Sequence, residues 1–133
     1  MATPDLDIAN QLQTAGVGTV GTNIFRGGIR AAKPSTIPHA AIFVRPTGGS
    51  IQTLIDDGAR NYETPTVQIL IRGDVGTYVT TYNKAQSALT AVHQSTVSGF
   101  FQVLARTPQP LYLGLDDTEH PMFSVNVELF RLA

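Results

Sequence analysis

The 133-residue chain contains no cysteine, which excludes both a disulfide framework and a thiolate metal site. Charge is scarce as well: Asp, Glu, Lys and Arg make up 14% of the sequence, against roughly 25% in ordinary soluble domains. A surface so thinly charged is weakly protected against association, and charge depletion marks the cores of protein interfaces. Much of the exterior is therefore expected to meet other protein. The net charge of −1 lacks the basic footprint of a general nucleic-acid binder. Apolar runs are only a few residues long, so no membrane-spanning segment is expected. The opening MATPDLDIANQ has no basic n-region and no apolar h-region, so no secretory signal is expected and folding in a cytoplasm is.

What is present reads as one domain over residues 1–133. Surface scaling gives about two-thirds of the chain's surface buried on folding, enough for one core without staples. Pro4 to Ala15 predicts an amphipathic helix: Thr3 as N-cap, Pro4 at the first helical position, Asp5 and Asp7 at the positive end of the dipole. Leu6, Ala9, Leu12 and Gln13 share its inner side, with Ile8 and Ala15 adjoining and Gly16 ending it. Thr22 to Arg26 reads as a short strand, and Arg30 to Pro38 as an irregular loop. His39 to Arg45 reads as a strand stopped by Pro46 and Gly48-Gly49. Ile51 to Asn61 suggests a projecting hairpin. Tyr62 to Gly73 has the two-sided apolar character of a central strand.

Tyr78, Tyr82, Ala85, Leu89, Val92 and Thr96 recur at the spacing of a helix lying on a sheet, with Asp74 or Thr77 to cap it and Gly99 to close it. The remainder is β by pattern: Phe100 to Thr107, Leu111 to Leu115, a turn at Asp116-Asp117, then Met122 to Leu132. In that last strand Phe123, Val125, Val127 and Leu129 point one way. The order implies an α+β fold: one twisted, mainly antiparallel sheet carrying two helices on a face, with a projecting β-arm between its second and third main strands.

Few residues carry recognisable chemistry. Gly16-Val17-Gly18-Thr19-Val20-Gly21 spells G-x-G-x-x-G, but a dinucleotide site needs a strand before it and a helix after it; here the order is reversed, and a helix-to-strand link is the better account. Arg72-Gly73-Asp74 matches an adhesion tripeptide, yet sits where a turn and a helix cap explain it. His39, His93 and His120 fall in separate elements without i, i+4 pairing, which favours structural roles over ligation, and no serine elbow is present. No catalytic residue, cofactor or metal is expected. Asp116, Asp117, Glu119 and His120 form the one dense titratable group. It reads as an acidic turn, solvated or facing a basic neighbour; weak cation binding is the alternative, without the spacing of a calcium loop. Arg26, Arg30 and Lys33 make a local basic loop, whereas the chain from Ile51 onward holds eight acids against five bases. That asymmetry suits one subunit's basic loop meeting another's acidic turn; phosphate contact by the loop is the rival, weakened by the lack of interleaved aromatics.

The C-terminal half carries a resemblance. Tyr62-x-x-Pro65-Thr66-Val67-Gln68-Ile69-Leu70-Ile71-Arg72-Gly73, the Tyr78 to Thr96 helix, Pro110-Leu111-Tyr112-Leu113-Gly114-x-Asp116 and Phe123-Ser124-Val125-Asn126-Val127-Glu128-Leu129-x-Arg131 together resemble the tail-terminator and minor capsid proteins of long-tailed, siphovirus-like bacteriophages. The resemblance covers about Tyr62 to Arg131, with the opening helix and the His39 to Pro46 strand matching in order and length. It implies a sheet with two helices that closes, as a homo-oligomer and most simply a hexamer, into a ring on the end of the tail tube. Such a ring halts tube growth, offers the head a docking surface, and lets DNA pass its lumen without sequence-specific binding. It implies partners in the tail tube protein and a head-completion or connector protein, no membrane, and a place in the virion neck after assembly in the host cytoplasm. The sequence departs from the resemblance at Gly16 to Gly28 and in the arm.

On this reading the interface residues are Arg26, Arg30, Lys33, Arg45, Arg60, Asp116, Asp117 and Glu119, in the basic loop, the Arg45 to Asn61 arm and the acidic turn. Two other readings stay open: a head-closure or connector ring of the same neck region, and a small enzyme or a ligand- or cation-binding domain using the Asp116 cluster.

Overall fold

The computed structural model describes residues 3–27, 38–53 and 61–132. Helix α1 spans Pro4–Thr14. Its C-terminus closes as expected: Gly16 takes φ +81°, its N–H donates to the Gln13 carbonyl, and the Val17 N–H donates to that of Leu12, the paired bonds of a Schellman turn. Its N-terminus differs from expectation. Thr3 holds the N-cap position without a side-chain capping bond, because its hydroxyl accepts from the Arg26 guanidinium at 2.8 Å. The buried face is Asp5, Ile8, Ala9 and Leu12, rotated from the predicted one so that Leu6 is only half-buried. Asp5 accepts from Arg26 Nε at 3.1 Å, and that ion pair turns the face.

Strands β1 (Ile24–Arg26), β2 (Ala41–Thr53), β3 (Asn61–Arg72), β4 (Gln102–Ala105), β5 (Leu111–Leu115) and β6 (Pro121–Leu132) form one unclosed sheet, with α2 (Tyr78–Val92) between β3 and β4. The order is β1-β2-β3-β6-β4, and β5 also pairs with β6. All pairings are antiparallel except β1–β2. The α+β expectation holds. Register places Ile42, Ile71 and Phe123 in one row, and Val44, Ile69 and Val125 in the next. Because side chains alternate across a strand, both rows face the helices. There they join Ile8, Ala9 and Leu12 of α1 and Ala85, Ala88, Leu89 and Val92 of α2 in a single core. Each fully buried aliphatic or aromatic side chain there stabilises the fold by roughly 1.5–3 kcal/mol. The opposite face carries Phe43, Leu70 and Ser124 in one row and Arg45, Gln68 and Asn126 in another. Phe43 is covered by the Phe25 ring and by the Arg72 guanidinium over its face.

Three boundaries differ from the sequence reading. Pro46 and Gly48-Gly49 do not stop β2; they bulge it, and the strand continues to Thr53 opposite Asn61. A proline with no N–H to give is tolerated there because β1 pairs with Ile42 to Val44 and, among the described residues, no strand lines β2 beyond them. The described part of the arm does not leave the sheet, since Tyr62 and Glu63 still pair with Leu132 and Arg131. The expected hairpin tip at residues 54–60, and most of the Arg30 to Pro38 loop, lie outside the described residues. Helix α2 ends at Val92, before Thr96 and Gly99. His93 turns extended and Gln94 adopts φ +57° to donate its N–H to the Val103 carbonyl. A bond to β4 thus outcompetes continued helix. The other end of α2 has no side-chain cap, as the Thr77 hydroxyl donates to the Asp74 carbonyl instead.

Candidate assembly surface

The outer edge of β6 is lined twice. β4 pairs with its Val127–Phe130 half and β5 with its Pro121–Ser124 half. Both run antiparallel to β6, so together they form one edge strand broken at 106–110. Leu111, Leu113 and Leu115 of β5 are all exposed, as is Tyr112. Val75, in the turn before α2, and Tyr78 and Val79, at its start, are exposed too, Val79 by 67%. The Tyr78 and Tyr112 rings meet edge-on at 5.1 Å, and both lean on Phe123, which anchors this patch to the core. An open edge bearing leucines without charges, lysine or proline is the kind that proteins normally cover.

The acidic turn after β5 is built by Asp116. Its Oδ1 accepts from the backbone N–H of Thr118 at 2.9 Å and of His120 at 2.8 Å, and from the Thr118 hydroxyl at 3.1 Å. Burial works to raise this carboxyl, but the donors outweigh it and bring it down to about 2. The His120 ring is buried and stacked on His39 at 4.7 Å, a pairing the sequence reading did not foresee. The Thr118 hydroxyl and Asp116 carboxylate both approach His120 Nδ1, at 2.6 and 3.1 Å. A hydroxyl–imidazole–carboxylate relay needs the two partners on different ring nitrogens, so this trio locks a turn and is not a nucleophile with its base. Asp117 and Glu119 project from it, exposed.

Arg26 is tied inward to Asp5 and Thr3; burial works to raise the Asp5 carboxyl, yet the bonds from Arg26 and Thr3 prevail and hold it below its usual value. Arg45 is exposed at the root of the arm, with one donor used on Gln68 Oε1 at 2.7 Å. Arg30, Lys33 and Arg60 lie outside the described residues. Sequence reasoning named charges and missed the apolar members of the surface. Their signal was there: Leu-Tyr-Leu-Gly-Leu is apolar in every non-glycine position, which in a short strand bounded by Pro110 and Asp116 means that one side must face outward.

A groove of about 370 Å³ lies between α2 and the β2–β3 end of the sheet, lined by Ile42, Ile71, Arg72, Thr77, Thr80 and Lys84 among others. Among the described residues no three His, Asp or Glu side chains converge as metal ligands, and no helix is long and apolar enough to cross a membrane. The glycine-rich Gly16 to Gly21 segment follows a helix and precedes a strand, with no helix N-terminus to receive a phosphate. Its Gly21 N–H bonds to the Ile24 carbonyl, and Val20 bridges Ile24. The segment therefore closes off the outer edge of β1.

No curated protein sequence matches the chain. Residues 11–130 match the family described as bacteriophage tail terminator protein; they span both helices and all six strands apart from the first turns of α1 and the end of β6, and the chain belongs to that family.

Proposed function

We infer that the protein is a structural, non-catalytic subunit of the phage tail that forms a ring on the end of the tail tube and joins the tail to the head. The observation that carries this reading is the open β5 edge: leucines exposed on a strand whose outer side no described strand pairs, beside the apolar start of α2. The family supplies the place, and the edge supplies the means of association. Copies related head to tail around an axis bury such a surface in each neighbour. A hexamer is the ring size the reading favours, with the tube protein on one face, a head-completion or connector protein on the other, and DNA passing the lumen unread. Assembly in the host cytoplasm precedes residence in the virion neck.

The cation-binding alternative loses support from the geometry of Asp116, whose Oδ1 is surrounded by hydrogen-bond donors where a cation would need acceptors. Sedimentation velocity of the purified protein, alone and mixed with tail tubes, tests the reading, together with electron microscopy of tube ends. Oligomers in solution or a cap confined to one tube end are expected. A chain that stays monomeric at high concentration and ignores tubes would sink it.

A further inference from the structure

Among the described residues the sheet offers two unpaired edges at diagonal corners. One is β5, which pairs only with β6. The other is β2 beyond Val44, where β1 stops and no other described strand takes over. Arg45, Pro46 and Thr47 are exposed there, and Ile51 is 71% exposed. The rest of the β1–β2 side is closed by the chain's own Val20–Gly21 turn, so the arm is where that side can accept a further strand.

Within one chain β5 runs antiparallel to β2, because each step β2–β3, β3–β6 and β6–β5 reverses direction. A second copy laid alongside in the same orientation therefore brings its β2 antiparallel to β5. Placing Leu113 opposite Ile51 then carries the turn after β5 toward the root of the neighbour's arm. Asp117 and Glu119, exposed and without an ion pair among the described residues, come up beside Arg45. Among the described residues that guanidinium gives one of its five donors to a neutral partner. Apolar strand meets apolar strand, and acid meets base. The fit is between two different surfaces of the same chain, which is what a head-to-tail contact requires.

We propose that neighbouring subunits join by strand addition, β5 of one pairing antiparallel with the β2 arm of the next, with Leu113 against Ile51 and the Asp117–Glu119 turn against Arg45. This rests on the ring reading above and specifies its contact.

The test uses the full chain carrying Leu113→Arg or Ile51→Arg. Both positions are exposed, and thermal unfolding of each variant checks that it folds. Each variant alone is expected to associate at least about 30-fold more weakly than the wild type. Mixed one to one, they should form dimers and stop, since each contributes one intact surface. Arg45→Glu should weaken assembly too, and Glu119→Arg in the same chain should restore it. Dimers of Ile51→Arg alone would mean β5 pairs with itself, and a mixture that stays monomeric would mean these edges do not meet; either result overturns the proposal. Wild-type rings untouched by both arginine substitutions would overturn the edge pairing and leave the ring reading standing. A wild-type chain that never associates would overturn both.

Discussion

The two edges of the sheet are finished in opposite ways. At β1 the chain returns on itself: the Gly21 N–H takes the Ile24 carbonyl, and Val20 bridges Ile24. Arg26, at the end of that strand, is bound to Asp5 and Thr3 of the first helix. Among the described residues nothing comparable happens at β5. Leucines stand exposed, and the strand ends in a turn that spends its hydrogen bonds on itself. A monomer designed to stay alone would seal both edges. Among the described residues, one side of the sheet is sealed at β1 but free along the β2 arm, and the other is free along β5; two different free stretches are what a head-to-tail contact uses.

The comparison can be broken in several places. The largest effect belongs to Phe123, where the β5 patch meets the core: Phe123→Ala removes the ring under Tyr78, Tyr82 and Tyr112 and is expected to cost about 3–5 kcal/mol in chemical denaturation. Next comes the sealed edge. Gly21→Ala places a side chain at φ +89° and should cost about 1–2 kcal/mol, with faster amide exchange at Ile24 and Phe25. Asp116→Ala should lose a similar amount, about 1–2 kcal/mol, because the Thr118 and His120 N–H groups are left without their acceptor. Its neighbour Asp117→Ala should leave stability unchanged while weakening assembly.

At the open edge, Leu113→Ser is expected to shift stability by no more than about 0.5 kcal/mol while lowering self-association. If it unfolds the chain, the edge is part of the core and the contrast fails. The smallest effect is on acid stability. Asp5 and Asp116 are held below their ordinary value, so the stability they contribute is complete above about pH 4 and fades as the pH falls toward 2. Asp7, which burial raises, works in the opposite sense over its own range. Asp116→Asn should flatten the acid limb of a urea-midpoint titration; an unchanged limb would show that the turn does not hold its carboxylate as described.

Much of this fold was legible beforehand, for identifiable reasons. Phe123, Val125, Val127 and Leu129 alternate strictly, and β6 buries all four. Ala85, Leu89 and Val92 recur at helical spacing and lie in the core. Leu111–Leu115 was bounded by Pro110 and Asp116 and came out with those ends. The misreadings fall where a long-range bond overrules local preference. The Arg26–Asp5 pair rotates the face of α1, the Gln94 bond to Val103 ends α2 early, and β2 runs through Pro46 where no described strand lines it beyond Val44. The candidate surface was half legible. Its charges stand out in any sequence, whereas exposure of Leu113 or Ile51 depends on which strands sit beside them.

Hydrophobic period, glycine and proline placement and composition act over a few residues, so the order of helices and strands and the exclusion of thiol chemistry could be read from the chain directly. The fold, by contrast, settled that β1 is sealed by its own chain while β5 and the β2 arm are left free among the described residues. It also decided that His39 stacks on His120 and that Asp116 answers to its own turn. Those outcomes depend on residues far apart in the chain competing for the same donors and the same buried space, and no local pattern records who wins.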